Sequence, residues 1–213
     1  MNTNKQAGRM ILENLQLFNQ AVVLFEQELE PEIRAKFSEA IQTWANEHGW
    51  SSWVDATADI DNYSVAPPRW AFKDESGNDD ANPWFEMGVV ENSTNYYLAE
   101  LFGVGSTSVT LWFCVNEKGL GFEGKKAWKK ALQAVAEKYV EHLKPFGIVY
   151  DESYFHLPLK LDPSKLADAW SDDSYDELFE PLGAALDALE KAVTIFDEML
   201  TEMRTSQHLA LNI

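Results

Sequence analysis

Cysteine, long apolar runs and secretory features are all scarce in this sequence. Cys114 is the one cysteine among 213 residues, so no intramolecular disulfide can form. The apolar runs, of which 109–115 is typical, are far shorter than the roughly 20 residues of a membrane-spanning helix. Residues 1–9 are polar and lack the apolar segment of a secretory signal. We therefore expect a cytoplasmic protein without membrane contact, in which Cys114 packs inside a strand.

Motifs for metals, cofactors and nucleophilic catalysis are also missing. No Cys-x-x-Cys or His-Glu-x-x-His spacing for zinc occurs, and no Gly-x-Ser-x-Gly elbow. The histidines are far apart in the sequence: His48, His142, His156 and His208. The run Gly119-x-Gly121-x-x-Gly124 matches a dinucleotide-binding pattern by letter, but no strand–helix–strand unit surrounds it. We predict no metal and no cofactor, and an enzyme is the less favoured class.

One triplet keeps an enzymatic alternative open. Glu123-Gly124-Lys125 matches the Glu-x-Lys of metal-dependent nucleases, which use it beside a further carboxylate. In those enzymes the triplet lies on a strand, whereas here it precedes a predicted helix. The alternative function is therefore a metal-dependent, nuclease-like enzyme that uses Glu123, Lys125 and carboxylates of adjoining strands.

Basic residues are few relative to acidic ones. The chain has 17 Lys and Arg against 35 Asp and Glu, which gives a formal net charge of −18. Such a charge repels nucleic acid phosphates and anionic lipids, and it attracts basic surfaces. We predict a basic protein partner and no direct contact with nucleic acid.

Material for a hydrophobic core is plentiful. Hydrophobic residues make up 46% of the chain and aromatic residues 13%, well above the content of disordered proteins. One core can serve a chain of 213 residues, so we predict a single domain over 1–213. Its expected parts are N-terminal helices in 1–49, a sheet with one helix in 69–157, and C-terminal helices in 163–205.

The N-terminal part predicts two amphipathic helices. The first is indicated by apolar residues spaced three or four apart, here named the N-terminal seam: Ile11, Leu15, Phe18, Val22, Phe25 and Leu29. Pro31 fits the first turn of a second helix, because proline has no N–H to donate within a helix. Gly49 is expected to end that helix in the left-handed conformation.

The middle of the chain predicts an antiparallel sheet. Runs rich in Val, Tyr, Phe and Trp are expected to be strands joined by short turns: Trp84–Glu91, Tyr96–Phe102 and Val109–Asn116. A strand near Trp70, a helix over 125–143 and a strand over Ile148–Leu157 complete this part. The predicted fold class is α+β, with about four to five antiparallel strands covered by long N- and C-terminal helices. The strands form a meander plus one strand after a crossover helix.

The last third has the most regular pattern. Apolar residues three or four apart predict a long helix with one narrow stripe, here named the C-terminal seam: Phe179, Leu182, Leu186, Leu189, Val193, Phe196, Leu200 and Met203. The N-terminal and C-terminal seams are expected to pack on each other within the chain. The alternative is a homodimer formed through the C-terminal helix.

Charge is divided unevenly along the chain. Residues 118–144 hold seven lysines against three glutamates, a net charge of +4. Residues 162–202 hold twelve acidic residues against two lysines, a net charge of −10. The molecule is therefore expected to be bipolar. A solvated helix face explains the main basic group better than a ligand site does: Lys125, Lys126, Lys129 and Lys130.

The candidate binding residues lie where the C-terminal helix is expected to begin: Asp172, Asp173, Asp176, Glu177 and Glu180. Spacing of four residues would place Asp172, Asp176 and Glu180 in one column of a helix. These acids either stabilise a helix N-terminus through its dipole or form a face for a basic protein. The favoured function is a non-catalytic acidic binding protein of the immunity, antitoxin-like or DNA-mimic inhibitor type. A dimeric structural protein is a further alternative.

Overall fold

Long helices cover one face of an antiparallel sheet in the computed structural model, and the α+β class predicted from the sequence is confirmed. The structure describes residues 3–55, 57, 63–73, 76, 79–90, 96–104 and 108–211. The predicted turn at 92–95 lies outside these residues. The described helices are α1 (Thr3–Glu13), α2 (Leu15–Leu24), α3 (Glu30–His48), α4 (Tyr97–Leu101), α5 (Lys125–Leu143), α6 (Leu166–Asp172) and α7 (Asp176–Leu211).

The main sheet has six strands, slightly more than predicted, and every pair in it is antiparallel. The described strands are β1 (Ser51–Trp53), β2 (Ser64–Ala66), β3 (Ala71–Lys73), β4 (Asp79–Ala81), β5 (Trp84–Val90), β6 (Ser108–Cys114), β7 (Val149–Tyr150) and β8 (Phe155–Leu159). The strand order of the main sheet is β1-β2-β5-β6-β8-β7, and β3 and β4 form a separate pair. The sheet therefore begins before residue 69, the predicted boundary.

Two of the predicted strands were wrong in detail. Tyr96–Phe102 contains helix α4 because its buried residues are spaced one and four apart, as on a helix: Tyr97, Leu98, Leu101 and Phe102. Ile148–Leu157 is a hairpin of β7 and β8. The Asp151 carboxylate accepts hydrogen bonds from the backbone N–H groups of Ser153 and Tyr154 at 3.1 and 2.8 Å, and Glu152 has a left-handed φ of 71°. These contacts form the turn that interrupts the predicted strand.

The N-terminal helices continue into one another. A π-helical segment, Phe25–Leu29, joins α2 to α3, and Pro31 lies in the first turn of α3 as predicted. Gly49 ends α3 with a left-handed φ of 68°, also as predicted. No residue of α2 is buried, and Leu15 and Phe18 of the N-terminal seam are 57% and 43% exposed. The predicted packing of this seam on the C-terminal seam is therefore wrong, because α3 takes that place against α7.

Helix α7 lies at the centre of the core. All residues of the C-terminal seam are buried, and they belong to one apolar cluster that extends from Ile33 to Met203. Phe196 shows how the helix meets the sheet, since its ring stacks on Phe113 of β6 with centroids 4.3 Å apart. The seam is occupied within the chain, so a dimer would need another surface. Within the described part of the chain, no helix has both the length and the apolar character required to cross a bilayer.

Candidate functional site

A sharp turn between α6 and α7 positions the predicted binding residues. Asp172 is the last residue of α6, and Asp173 follows in the left-handed conformation with a φ of 48°. Helix α7 then begins at Asp176. The predicted single column of Asp172, Asp176 and Glu180 is wrong, because Asp172 lies on a different helix from the other two.

All five predicted acids are exposed: Asp172, Asp173, Asp176, Glu177 and Glu180. None of their carboxylates forms an ion pair or a hydrogen bond with another described residue. Their charges are therefore not compensated by close contacts within that part of the chain.

Three of these acids line a groove between α3 and the start of α7, here named the acidic groove. It encloses about 470 Å³. Asp173, Asp176 and Glu180 stand on the α7 side, and Glu39 and Glu47 stand on the α3 side. One lysine, Lys36, lines the groove, and its ammonium lies 3.5 Å from the Glu39 carboxylate.

The floor of the acidic groove is largely apolar. It is formed by side chains and backbone of both helices: Ala40, Trp44, Phe179, Leu182, Gly183 and Leu186. Open space lies over the Gly183 backbone, since a side-chain carbon added there meets nothing within 4 Å. A partner side chain with an aliphatic stem and a cationic end would bury its stem on this floor and place its charge among the carboxylates.

The other two predicted acids line a smaller depression on the opposite side of the turn. This side depression encloses about 230 Å³ and is lined by Asp168, Asp172 and Glu177 together with one lysine, Lys165. Ser174 lines both the side depression and the acidic groove. The structure therefore brings all five predicted acids to two adjoining concave surfaces, with eight acidic residues against two lysines in total.

Buried contacts hold the two walls of the acidic groove in place. The Tyr175 hydroxyl donates a hydrogen bond of 2.8 Å to the Glu32 carboxylate, and burial raises the pKa of Tyr175, so this donor stays protonated. Phe179 packs edge-on against Phe37 of α3 with centroids 5.4 Å apart. Both contacts join the start of α7 to α3. The relative position of the two helices that carry the groove acids is therefore fixed by the core.

The acids farther along α7 differ, because the chain's own residues pair with them. The guanidinium of Arg69 lies 2.9 Å from the Asp197 carboxylate. The ammonium of Lys138 lies 2.6 Å from Glu202 and, as the main cause, lowers the pKa of that carboxyl. Free negative charge is thus concentrated at the start of α7, and the rest of the helix is partly neutralised.

The basic helix does not neutralise the acidic groove. The four lysines at its start are exposed: Lys125, Lys126, Lys129 and Lys130. None of them lines the acidic groove or the side depression. Lys138, on the same helix, pairs with the far part of α7 instead. The exposed lysines of α5 therefore leave the acids of both concave surfaces uncompensated.

The residues behind the enzymatic alternative do not form a cluster. Glu123 is exposed in the turn before α5, not on a strand. In the described ranges, one group of three or more potential metal ligands occurs, and it does not include Glu123. The glycine pattern at 119–124 joins β6 to α5, but β6 pairs with antiparallel neighbours on both sides. This differs from the parallel unit that binds dinucleotides.

Sequence reasoning missed the α3 wall of the acidic groove. Glu39, Thr43 and Glu47 are spaced by four residues and so lie on one face of α3. That spacing was a usable signal. What the sequence did not reveal was that this face lies beside the start of α7.

Comparisons of the chain with protein-family models, with curated proteins and with solved structures found no match.

Proposed function

We propose that this protein is a non-catalytic binding protein that engages a basic protein partner through the acidic groove and the side depression. The observation that carries the proposal is the convergence of eight acidic residues, against two lysines, on two adjoining concave surfaces. An inhibitor, an immunity protein or an antitoxin-like protein would act in this way. So would a protein that imitates the charge of nucleic acid to occupy a DNA-binding partner.

The positions of the acids support binding over a purely structural role. Negative charge favours the first turn of a helix, which accounts for Asp168 in α6 and for Asp176 and Glu177 in α7. Asp172 and Asp173 lie instead at the C-terminal end of α6, and Glu47 lies in the last turn of α3. A carboxylate at a helix C-terminus is disfavoured by roughly 0.3–1 kcal/mol. The helix dipoles therefore account for three of the eight acids and oppose three others.

The chemistry of the groove supports a partner that supplies arginine or lysine. Exposed carboxylates without close basic neighbours attract a cationic surface over long range and speed its approach. The apolar floor beneath them favours a side chain with an aliphatic stem over a small inorganic cation. The net charge of −18 disfavours nucleic acid itself, because phosphates would be repelled.

The test compares two variants with the same change in charge. The groove variant carries Glu39→Gln, Asp176→Asn and Glu180→Gln. The control variant carries Glu123→Gln, Glu137→Gln and Glu141→Gln, which lie outside both concave surfaces. Each protein is immobilised, exposed to a lysate of its native host and then to a short oligoarginine peptide, and eluted with a salt gradient.

We expect the wild type and the control variant to retain the same basic protein and to release it as salt increases. The groove variant should bind that protein roughly tenfold more weakly, since three exposed charge pairs are worth about 0.5 kcal/mol each. The oligoarginine peptide supplies the same cationic side chains without the shape of a folded partner, so it should also bind the groove variant more weakly than the control variant, but by a smaller factor. Equal retention of host protein by both variants, or retention that salt does not weaken, would refute the proposal.

A further inference from the structure

We propose that His48, Asp187 and Glu190 form a binding site for one divalent transition-metal ion of the Zn²⁺ type. The three side chains each offer one ligand atom, and these atoms all lie within 4.8 Å of one another. The site adjoins the acidic groove: none of the three ligands lines the groove, but Trp44, which contacts His48 and Asp187, forms part of its floor. The two proposals can be tested separately, because the metal ligands and the groove acids are different residues.

The two helices bring the ligands together from distant parts of the sequence. His48 is the last residue of α3, and Asp187 and Glu190 lie three residues apart on α7. Side chains with this spacing point to the same side of a helix. The packing of α3 on α7 then places the imidazole opposite both carboxylates.

The distances suit a small ion. The Nδ1 atom of His48 lies 3.0 Å from Oε2 of Glu190. Zn²⁺ binds nitrogen and oxygen at roughly 2.0–2.2 Å, so two ligands of one tetrahedral ion lie roughly 3.3–3.6 Å apart. A small shift of the side chains would therefore widen the distance between His48 and Glu190 enough for both to coordinate one ion. His48 and Glu190 are 30% and 39% exposed, which leaves a path for an ion and room for water ligands.

Trp44 orients two of the three ligands. Its indole N–H donates a hydrogen bond of 2.8 Å to Oδ1 of Asp187. Its ring also stacks on the His48 imidazole, with centroids 4.3 Å apart and planes 14° from parallel. Trp44 is 8% exposed, so the core holds it in this position. Metal sites commonly depend on such supporting contacts, which fix the ligands before the ion arrives.

The ligand set selects the class of ion. One imidazole with two carboxylates suits Zn²⁺ and neighbouring transition ions, whereas Ca²⁺ and Mg²⁺ prefer sites made wholly of oxygen. Two carboxylates compensate the double charge of the ion. Three protein ligands leave a coordination position for water or for a group from a partner.

The test measures Zn²⁺ binding to the whole protein after treatment with a chelator, in competition with a chromophoric zinc indicator. We expect one Zn²⁺ per chain, a Co²⁺ absorption spectrum typical of nitrogen and oxygen ligands, and a higher melting temperature with Zn²⁺. His48→Gln should weaken Zn²⁺ binding by about 100-fold, and Trp44→Phe by roughly tenfold through loss of the support to Asp187.

Matched controls separate the site from general attraction to an acidic surface. His142→Gln removes an exposed histidine of α5, and Glu180→Gln removes a groove acid, so neither should change Zn²⁺ affinity. The melting temperature of each variant in chelator shows whether it is folded. If His48→Gln disturbs folding, Glu190→Gln serves as the second ligand variant. The proposal is wrong if the wild type does not bind Zn²⁺ stoichiometrically, or if the folded ligand variants bind it as tightly as the controls do.

Discussion

Replacement of Phe196 by alanine should destabilise the fold more than most single changes would. Phe196 is 1% exposed and lies on the face of α7 that meets the sheet. Its ring stacks on Phe113 at 4.3 Å and contacts Phe85 and Phe155 edge-on at 5.5 and 6.0 Å. It therefore joins three strands of the sheet to the central helix.

The magnitude follows from the loss of buried area, the cavity left behind and the lost ring contacts. A buried Phe→Ala change costs about 3–5 kcal/mol, and each aromatic pair contributes roughly 0.5–1.5 kcal/mol beyond its buried area. Because Phe196 makes three such pairs, we expect a loss near the upper end, about 4–5 kcal/mol. Domains are stable by roughly 5–15 kcal/mol, so this one change removes a large share of the free energy of unfolding.

Urea denaturation followed by circular dichroism measures the effect, with the slope of the transition used to confirm comparable unfolding. Phe72→Ala is the control, because Phe72 is 48% exposed on β3 and should cost less than about 1 kcal/mol. A loss below about 2 kcal/mol for Phe196→Ala would refute the packing of α7 described above. So would equal losses for the two variants.

Two further predictions follow from partly buried titratable groups. Burial is the main cause that lowers the pKa of His156, whose Nδ1 atom is hydrogen-bonded to the Thr110 hydroxyl at 2.8 Å. Near pH 6.5 the unfolded chain therefore binds a proton at this histidine more readily than the folded protein does. The free energy of unfolding should fall as pH decreases below about 6.5, and His156→Gln should flatten that decrease; an unchanged pH profile would contradict this. Burial raises the pKa of the Cys114 thiol to about 12, so native protein at mildly alkaline pH should react slowly with an aromatic disulfide reagent, and urea should speed the reaction. Rapid reaction of the native thiol would show that it is accessible.

Helices whose apolar residues recur at regular spacing could be predicted from the sequence with nearly correct bounds. Helix α5 has the predicted range of 125–143, and every residue of the C-terminal seam is buried. Over such lengths a spacing of three or four residues cannot be mistaken for the alternation of a strand. Strands β5 and β6 were also placed nearly correctly, because both are rich in Val, Phe and Trp, residues that are common in strands.

Short segments could not be predicted as well, because composition and tertiary contacts decide them. The seven residues from Tyr96 to Phe102 are aromatic enough for a strand but short enough to fit either period. Whether the N-terminal seam is buried depends on which helix packs against α7. Nothing in the residues 11–29 reveals that α3 takes that position. A regular apolar spacing therefore predicts a helix more reliably than it predicts the partner of that helix.

The candidate site likewise has a part that could be predicted from the sequence and a part that could not. Its five acids could be identified because their density along the chain is high, yet the wall from α3 and the cluster around His48 depend on contacts between residues far apart in sequence. The distance from His48 to Glu190 spans 142 positions of the chain. No local spacing rule addresses such a separation, which explains why a search for zinc motifs missed the cluster.

The positions of the chain's own basic residues determine which of its acids remain unpaired. Net charge alone does not distinguish an acid that is already paired from one that is available to a partner. Along α7, Arg69 and Lys138 pair with Asp197 and Glu202, so those acids already have internal partners. At the start of the helix the same chain places carboxylates from both α3 and α7 around an apolar floor and supplies one lysine. These carboxylates lack the internal partners that Asp197 and Glu202 have, so the fold gains little from their position, and a basic group from outside would find them unpaired.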